Sequence, residues 1–273
     1  MDFSQDPDLD PIAQALHPIA HAATKLGLEW MLIGAVARDL LLLQAGAAPS
    51  RRRTLDVDIA VCIETWEQHE ALTSELIQSH GAVADTTAPQ RLHLASGMPI
   101  DIVPFGAISP DSVLRWPPDG EWTLAVTGFA EALDCSSTLI LPGHLEIRTV
   151  SVHHLLALKL LAWSDRHLSH PGRDAPDIAL LLERATDFVA LDDLHDQHAA
   201  ILEQHDWDPD LAAIQVMGRR LRGSLRQESL DPVIRILQAE TLVTGPLHLV
   251  RELRLDERAL PCLLALEAGI ESA

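Results

Sequence analysis

The sequence is short of several things. It has no run of about eighteen uncharged apolar residues, which excludes an ordinary membrane-spanning helix. Cysteine is scarce: Cys62, Cys135 and Cys262 are widely spaced and form no paired motif. That excludes a zinc ribbon or a disulfide scaffold and suits a reducing compartment. Positive charge is lacking, with a formal net charge of −20, which opposes general coating of nucleic acid because phosphate contacts need Lys and Arg. There is no Gly-x-Ser-x-Gly, no His-Glu-x-x-His, no catalytic-cysteine context and no internal repeat. The opening MDFSQDPDLD is acidic where a secretory leader would be basic and then apolar, so the expectation is a soluble cytoplasmic protein with no membrane partner.

What is present reads as globular. Apolar residues make up 47% of 273 residues, enough for one large domain or two modest ones. Any RNA contact must be local, and two arginine clusters offer it: Arg51, Arg52 and Arg53 in a loop, and Arg219, Arg220, Arg222 and Arg226 in a predicted helix. Both also read as plain solvated surface. Lysine occurs only at Lys25 and Lys159. Lys159 lies in the apolar run LLALKLLAW, where a charge needs a partner or must snorkel to solvent. A compact ammonium also suits a triphosphate oxygen in a tight site.

Hydrophobic periodicity predicts helices over about 11–26, 36–44 and 64–80, and strands over 29–33, 55–62, 91–95 and 99–103. Further extended segments follow at 122–127, 137–141 and 145–150. The segment 45–54 has a loop composition. From residue 151 onward the spacing is helical, over 151–163, 174–184, 211–226, 231–242 and 256–268. The expected architecture is therefore an α+β (α/β-like) domain with a mixed sheet at 1–150, followed by a helical domain at 151–273.

Three segments carry chemistry. In TLDVDIAVC, strand alternation projects Asp56 and Asp58 from one face while Val57 and Ile59 point the other way. Two like charges held that close are stable with divalent cations between them, and oxygen-only ligands select magnesium. A wet edge strand would also explain the pair. In MPIDIVPFG, Asp101 stands between apolar Ile100 and Ile102 and wants a partner. If the two strands are neighbours, three carboxylates converge, enough for two ions. Upstream, WMLIGAVARDLLLL places Gly34 at a strand-to-helix turn, where free N–H groups and the helix dipole favour phosphate.

In this order, IGAVARDLLLL, TLDVDIAVC and MPIDIVPFG resemble the nucleotidyltransferase superfamily over roughly residues 29–105. ARDLLL is similar to the CCA-adding and poly(A) polymerase branch, and the general layout is closest to the AbiEii-type toxin nucleotidyltransferases. ALKLLAWSDR followed by GRDAPDIALLL is similar to the later AbiEii-type motif. The resemblance implies a nucleotidyltransferase core whose Asp56, Asp58 and Asp101 are catalytic and hold two Mg2+ ions. It further implies that Gly34, Ala35, Arg38, Lys159 and Asp177 bind the nucleoside triphosphate, and that Asp174 acts in positioning or catalysis. Asp174 also reads as a helix cap, with Pro176 in the first turn. Two features depart from the family pattern: Ala35 stands where Gly or Ser is usual, and the interval from Gly34 to Asp56 is long.

By the same resemblance the acceptor is an RNA such as the 3′ end of a tRNA, and the protein is a toxin with a separate antitoxin partner. Two alternatives stay open. A small cationic, aminoglycoside-like acceptor suits the acidic surface better, and a noncatalytic nucleotide-binding module suits Ala35. Fourteen histidines, with His17 and His21 or His153 and His154 as the obvious pairs, read as surface or core residues without a metal motif. Trp116 to Pro118 reads as a packed loop anchor or as an aromatic plane for a base.

Overall fold

The computed structural model describes residues 1–48, 56–117, 120–242 and 244–272. The arginine cluster Arg51 to Arg53, Leu55 and Pro118 therefore lie outside the described residues. The chain folds as two compact units, 1–44 with 48–151, and 45–47 with 152–273.

In the first unit the predicted elements appear in order, with others added to them. The elements are α1 (Asp10–Leu26), β1 (Glu29–Ile33), α2 (Gly34–Gln44), β2 (Val57–Ile63), α3 (Trp66–His80), β3 (Val83–Ala84), β4 (Arg91–His93) and β5 (Pro99–Gly106). There follow β6 (Val113–Arg115), β7 (Thr123–Ala125), α4 (Phe129–Asp134), β8 (Ser137–Leu141) and β9 (Leu145–Thr149). Of these, β3, β6 and α4 are the additions. Glycines in the left-handed region close α1 and α3, Gly27 at φ 67° and Gly81 at φ 68°, each donating back to the last helical carbonyls.

Seven strands form one sheet in the order β3-β4-β5-β2-β1-β9-β8. It is mixed, as expected: β2 runs parallel to β5 and antiparallel to β1. The period-two pattern has its predicted consequence. Val57, Ile59, Val61 and Ile63 are buried on one face, in register with buried Ile100 and Ile102, while the acidic residues take the opposite parity. Two strand expectations need correction. The 91–95 segment stops at His93, because Leu94 donates to Met98 O across a turn with Gly97 at φ 83°. The extended segment at 122–127 is not in the main sheet; β7 pairs with β6 in a separate two-stranded ribbon.

The second unit is helical: α5 (Val152–Arg166), α6 (Ala175–Glu183), α7 (Ala185–Phe188), α8 (Leu191–Gln197), α9 (Ala199–Gln204), α10 (Pro209–Ser224), α11 (Gln227–Thr241), α12 (His248–Leu253) and α13 (Ala259–Glu271). Asp208 starts α10 earlier than the spacing suggests, accepting from the amides of Asp210 and Leu211 at 3.0 and 3.2 Å, with Pro209 in the first turn. The expected helix at 256–268 is also displaced. Asp256–Arg258 is a single 3-10 turn and α13 begins at Ala259. Helices α10 and α13 cross backbone against backbone: a Cβ on Gly218 would stand 3.0 Å from Gly269 Cα. Buried Glu240 accepts from the Leu249 amide at 2.7 Å, satisfying one of the N–H groups that α12 leaves unpaired.

Candidate active site

The site in the first unit is built by register. Asp58 on β2 lies directly opposite Asp101 on parallel β5, so both side chains leave the same face of the sheet. Asp56 is two residues earlier, and one side chain links it to Asp101. Arg91 on β4, itself the antiparallel partner of Asp101, donates from Nε and Nη2 to the two oxygens of Asp101 at 2.6 and 2.8 Å. Its Nη2 also reaches Asp56 Oδ2 at 3.1 Å. Sequence-predicted Asp56, Asp58 and Asp101 are thus brought together. Asp101 is buried, while Asp56 is about one-third exposed at 33%.

Arg91 is the member of this cluster that sequence reasoning missed. It is held in its charged form, with its pKa raised first by the hydrogen bonds to Asp101 and also by the charges of Asp101, Asp56 and Asp58. The signal was present in the hairpin: a turn at Gly97 fixes Arg91 opposite Asp101, ten residues on. A three-residue strand offers too little alternation to establish that register beforehand.

Gly34 completes the corner. Ile33, the last residue of β1, pairs with Asp58, so the turn into α2 falls beside that carboxylate. Gly34 has φ 71°, and a Cβ there would stand 2.8 Å from Asp58 Cβ and overlap its carboxylate. Glycine is needed here for both the backbone angle and the close approach. Ala35 follows in the first turn of α2. Arg38 is buried at 2% side-chain exposure and donates to Asp39 Oδ1 at 2.9 and 2.7 Å, so its guanidinium is turned inward.

Asp58 and Asp101 on one sheet face, with Asp56 in the bend just before β2 and tied to Asp101 through Arg91, form a hard, oxygen-only donor set, and the glycine corner leaves open backbone where a β-carbon would intrude. That donor chemistry suits a divalent cation of the magnesium type, while in this structure the Arg91 guanidinium is the cation that bridges Asp101 and Asp56.

A second ionic cluster lies in the helical unit. Lys159 Nζ on α5 meets Asp177 Oδ2 at 2.6 Å and Asp174 Oδ1 at 3.4 Å. Arg166, two turns further along the same helix, grips Asp174 through Nε and Nη2, both at 2.6 Å. Lys159 therefore does not snorkel; its side chain is 14% exposed and its amine is paired. The capping reading of Asp174 does not describe its side chain. Asp174 occupies the N-cap position of α6 without a cap hydrogen bond, because both oxygens are taken by Arg166 and Lys159. Burial pushes its carboxyl pKa up, but the Arg166 hydrogen bonds and the Lys159 and Arg166 charges outweigh this and leave it lowered. Arg166 was the second residue missed, although its seven-residue spacing from Lys159 is a helical signal.

Other candidates resolve as packing or surface. Trp116 is buried, with ring centroids 5.5 Å from Trp66 and 5.1 Å from Trp122, and serves as a packed anchor. Arg219, Arg220, Arg222 and Arg226 are all exposed at the end of α10 and just beyond. His21 does not pair with His17 but meets His80 at 3.3 Å; with Glu75 they form a trio whose potential ligand atoms lie within 4.8 Å of one another, the Glu75 carboxylate being tied to Lys25 at 2.7 Å. No helix among the described residues is long and apolar enough to cross a membrane.

Residues 20–244 match the family model described as nucleotidyl transferase AbiEii toxin, type IV toxin–antitoxin system. No curated protein sequence matches the chain. Among solved structures, it is similar to an antigenic nucleotidyltransferase-like protein from Paracoccidioides brasiliensis, at TM-score 0.43 and 20% identity, over 77% of this chain and 94% of that one. It is also similar to the antibiotic-resistance factor ANT(2'')-Ia, at TM-score 0.41 and 16% identity, over 72% and 97%. A Thermotoga maritima CCA-adding enzyme complexed with tRNA matches at TM-score 0.25 and 13% identity, over 99% and 80%.

Proposed function

The chain belongs to the AbiEii nucleotidyltransferase toxin family, and on that premise we propose that it transfers a nucleoside monophosphate from a nucleoside triphosphate to an acceptor hydroxyl. The observation that carries this reading is the pairing of Asp58 with Asp101 on one sheet face beside Gly34, with Asp56 linked to Asp101 through Arg91. In the reaction, the acceptor oxygen bonds to the α-phosphorus, the bond to the β-phosphate bridging oxygen breaks, and pyrophosphate leaves. Asp56, Asp58 and Asp101 would hold the magnesium ions, which supply charge neutralisation at the phosphates and leaving group.

The remaining roles fall to the chain's own groups. Amides at Gly34 and Ala35 face phosphate oxygens without a side-chain hydroxyl, since alanine has none. Asp101 takes the acceptor's proton once its pair with Arg91 opens, because Arg91 occupies both of its oxygens. Lys159 contacts the triphosphate on the strength of the family motif, with Asp177 and Asp174 orienting its amine and Arg166 anchoring Asp174. Arg38, the further nucleotide-binding candidate of the family motif, is buried and paired with Asp39.

For the acceptor, we infer an RNA, with the tRNA 3′ end as the specific expectation, and an antitoxin protein as partner; the family description motivates both. The exposed arginines Arg219, Arg220, Arg222 and Arg226 supply local positive charge for such a substrate. A small cationic acceptor is the second reading, favoured by the net charge of −20. The test is Mg2+-dependent transfer from α-labelled triphosphates to total RNA and to small aminoglycoside-like acceptors, wild type against Asp58→Ala. Label on RNA that the variant fails to add supports the RNA reading, and label on the small acceptor alone supports the second. Tight triphosphate binding with label on neither would point to a noncatalytic module.

A further inference from the structure

Arg91 differs from an ordinary surface arginine in how it is held. Its backbone is fixed: the amide donates to Ala88 O at 2.9 Å, the carbonyl accepts from Asp85 N at 3.0 Å, and β4 pairs with β5. Its side chain is 26% exposed. A fixed backbone with a reachable guanidinium means that the head group can relocate while the strand stays in place. That head group touches both Asp101 oxygens and Asp56 Oδ2, on two of the carboxylates that would hold a divalent ion. Adjacent carboxylates repel unless a cation lies among them, and here Arg91 supplies that cation.

We propose that Arg91 is a built-in counter-cation that keeps the carboxylate face assembled before metal arrives and must leave Asp56 when a divalent ion binds. This rests on the metal-dependent reading above. Two positive groups within a few ångströms oppose one another, so Arg91 weakens the binding of metal alone. A triphosphate changes the balance, because its negative charge receives the released guanidinium. Metal and nucleotide then load together, and each strengthens the other by the same factor. Asp101 is freed in the same movement.

The test is Mn2+ binding followed by the loss of the free-ion electron paramagnetic resonance signal, for wild type, Arg91→Ala, Arg91→Lys and Asp58→Asn, without nucleotide. An opposite charge beside a carboxylate changes its affinity for another cation by about tenfold or more. Arg91→Ala should therefore bind Mn2+ at least about tenfold more tightly than wild type, with Arg91→Lys between them. A nonhydrolysable triphosphate should tighten Mn2+ binding in wild type more than in Arg91→Ala. Unchanged or weaker Mn2+ binding in Arg91→Ala overturns the proposal, leaving Arg91 as a clamp that organises Asp101.

Thermal melts cover the case in which Arg91→Ala folds poorly. Mn2+ should raise its Tm more than that of wild type, since a ligand stabilises by its occupancy; an equal or smaller rise overturns the idea. The function stands or falls separately. Label transfer that Asp58→Asn abolishes, with Mn2+ affinity no tighter in Arg91→Ala, keeps the transferase and removes the Arg91 role. Mn2+ bound equally by wild type and Asp58→Asn lies elsewhere and removes the metal reading and this proposal together.

Discussion

Asp58 and Asp101 are direct partners on parallel strands, yet their surroundings differ. Asp101 is buried and gripped through both oxygens by Arg91, whereas Asp58 lies against the Gly34 turn. Two isosteric substitutions should therefore separate. Asp58→Asn leaves the Arg91–Asp101 pair in place, so in metal-free buffer it should cost less stability than Asp101→Asn does. Transfer should fall about a thousandfold, the loss of several kcal/mol of charge stabilisation. Asp101→Asn should lose activity similarly but also lose roughly 3 kcal/mol of stability, because it leaves Arg91 without its principal partner. Urea unfolding beside the transfer assay checks this, and matched stability losses in the two variants would contradict the asymmetry.

Gly34 and Gly27 make a natural control pair. Both sit at positive φ, 71° and 67°, but a Cβ on Gly34 would overlap Asp58 while a Cβ on Gly27 meets nothing within 4 Å. Alanine at either position should cost about 1 kcal/mol through the backbone. Only Gly34→Ala should also displace Asp58 and abolish transfer. If Gly27→Ala is equally inactive, the close approach at Gly34 is not what activity depends on.

The legibility of this site followed the length of its elements. The placing of Asp58 and Asp101 on strands was readable because acidic residues interrupt apolar runs at period two, in strands long enough to show it, whereas Asp56 falls in the bend just before β2. The mixed sheet and the helical second half were likewise legible from alternating and then purely helical spacing. Arg91 was not, since β4 has three residues and its partner is set by a turn. Strand β6 and its pairing with the expected extended segment at β7 escaped for the same reason. Asp174 shows a different limit: its sequence context, with Pro176 two residues on, fits a cap, but a salt bridge reaching across from α5 claimed its oxygens.

The Lys159 cluster allows structural and binding roles to be separated. Lys159→Met would leave Asp177 and Asp174 buried without the amine, at a cost of about 3 kcal/mol or more. The double variant Lys159→Met with Asp177→Leu removes the 2.6 Å pair as a unit and should regain much of that stability. Triphosphate affinity should stay low in both. A double variant that refolds and binds triphosphate like wild type would reduce Lys159 to a structural counter-ion.

His69 makes stability depend on mild acid. It lies buried between Trp66 and Trp116 with Nε2 unpartnered, and burial lowers its pKa from 6.5 to about 4. The unfolded chain therefore takes up a proton near pH 6.5, whereas the folded chain does not until about pH 4. Stability is complete above the upper value, declines as pH falls between the two, and levels off below the lower one. A shift of that size corresponds to a loss on the order of 3 kcal/mol. His153, lowered to about 3 by burial and by the charges of His154 and Arg220, adds to the same trend. Replacing His69 with phenylalanine keeps a ring among the tryptophans and removes the titration. The urea midpoint of His69→Phe should accordingly drop less between pH 7 and pH 5 than that of wild type. An identical drop in both proteins would mean that His69 gains its proton in the folded state as readily as in the unfolded one.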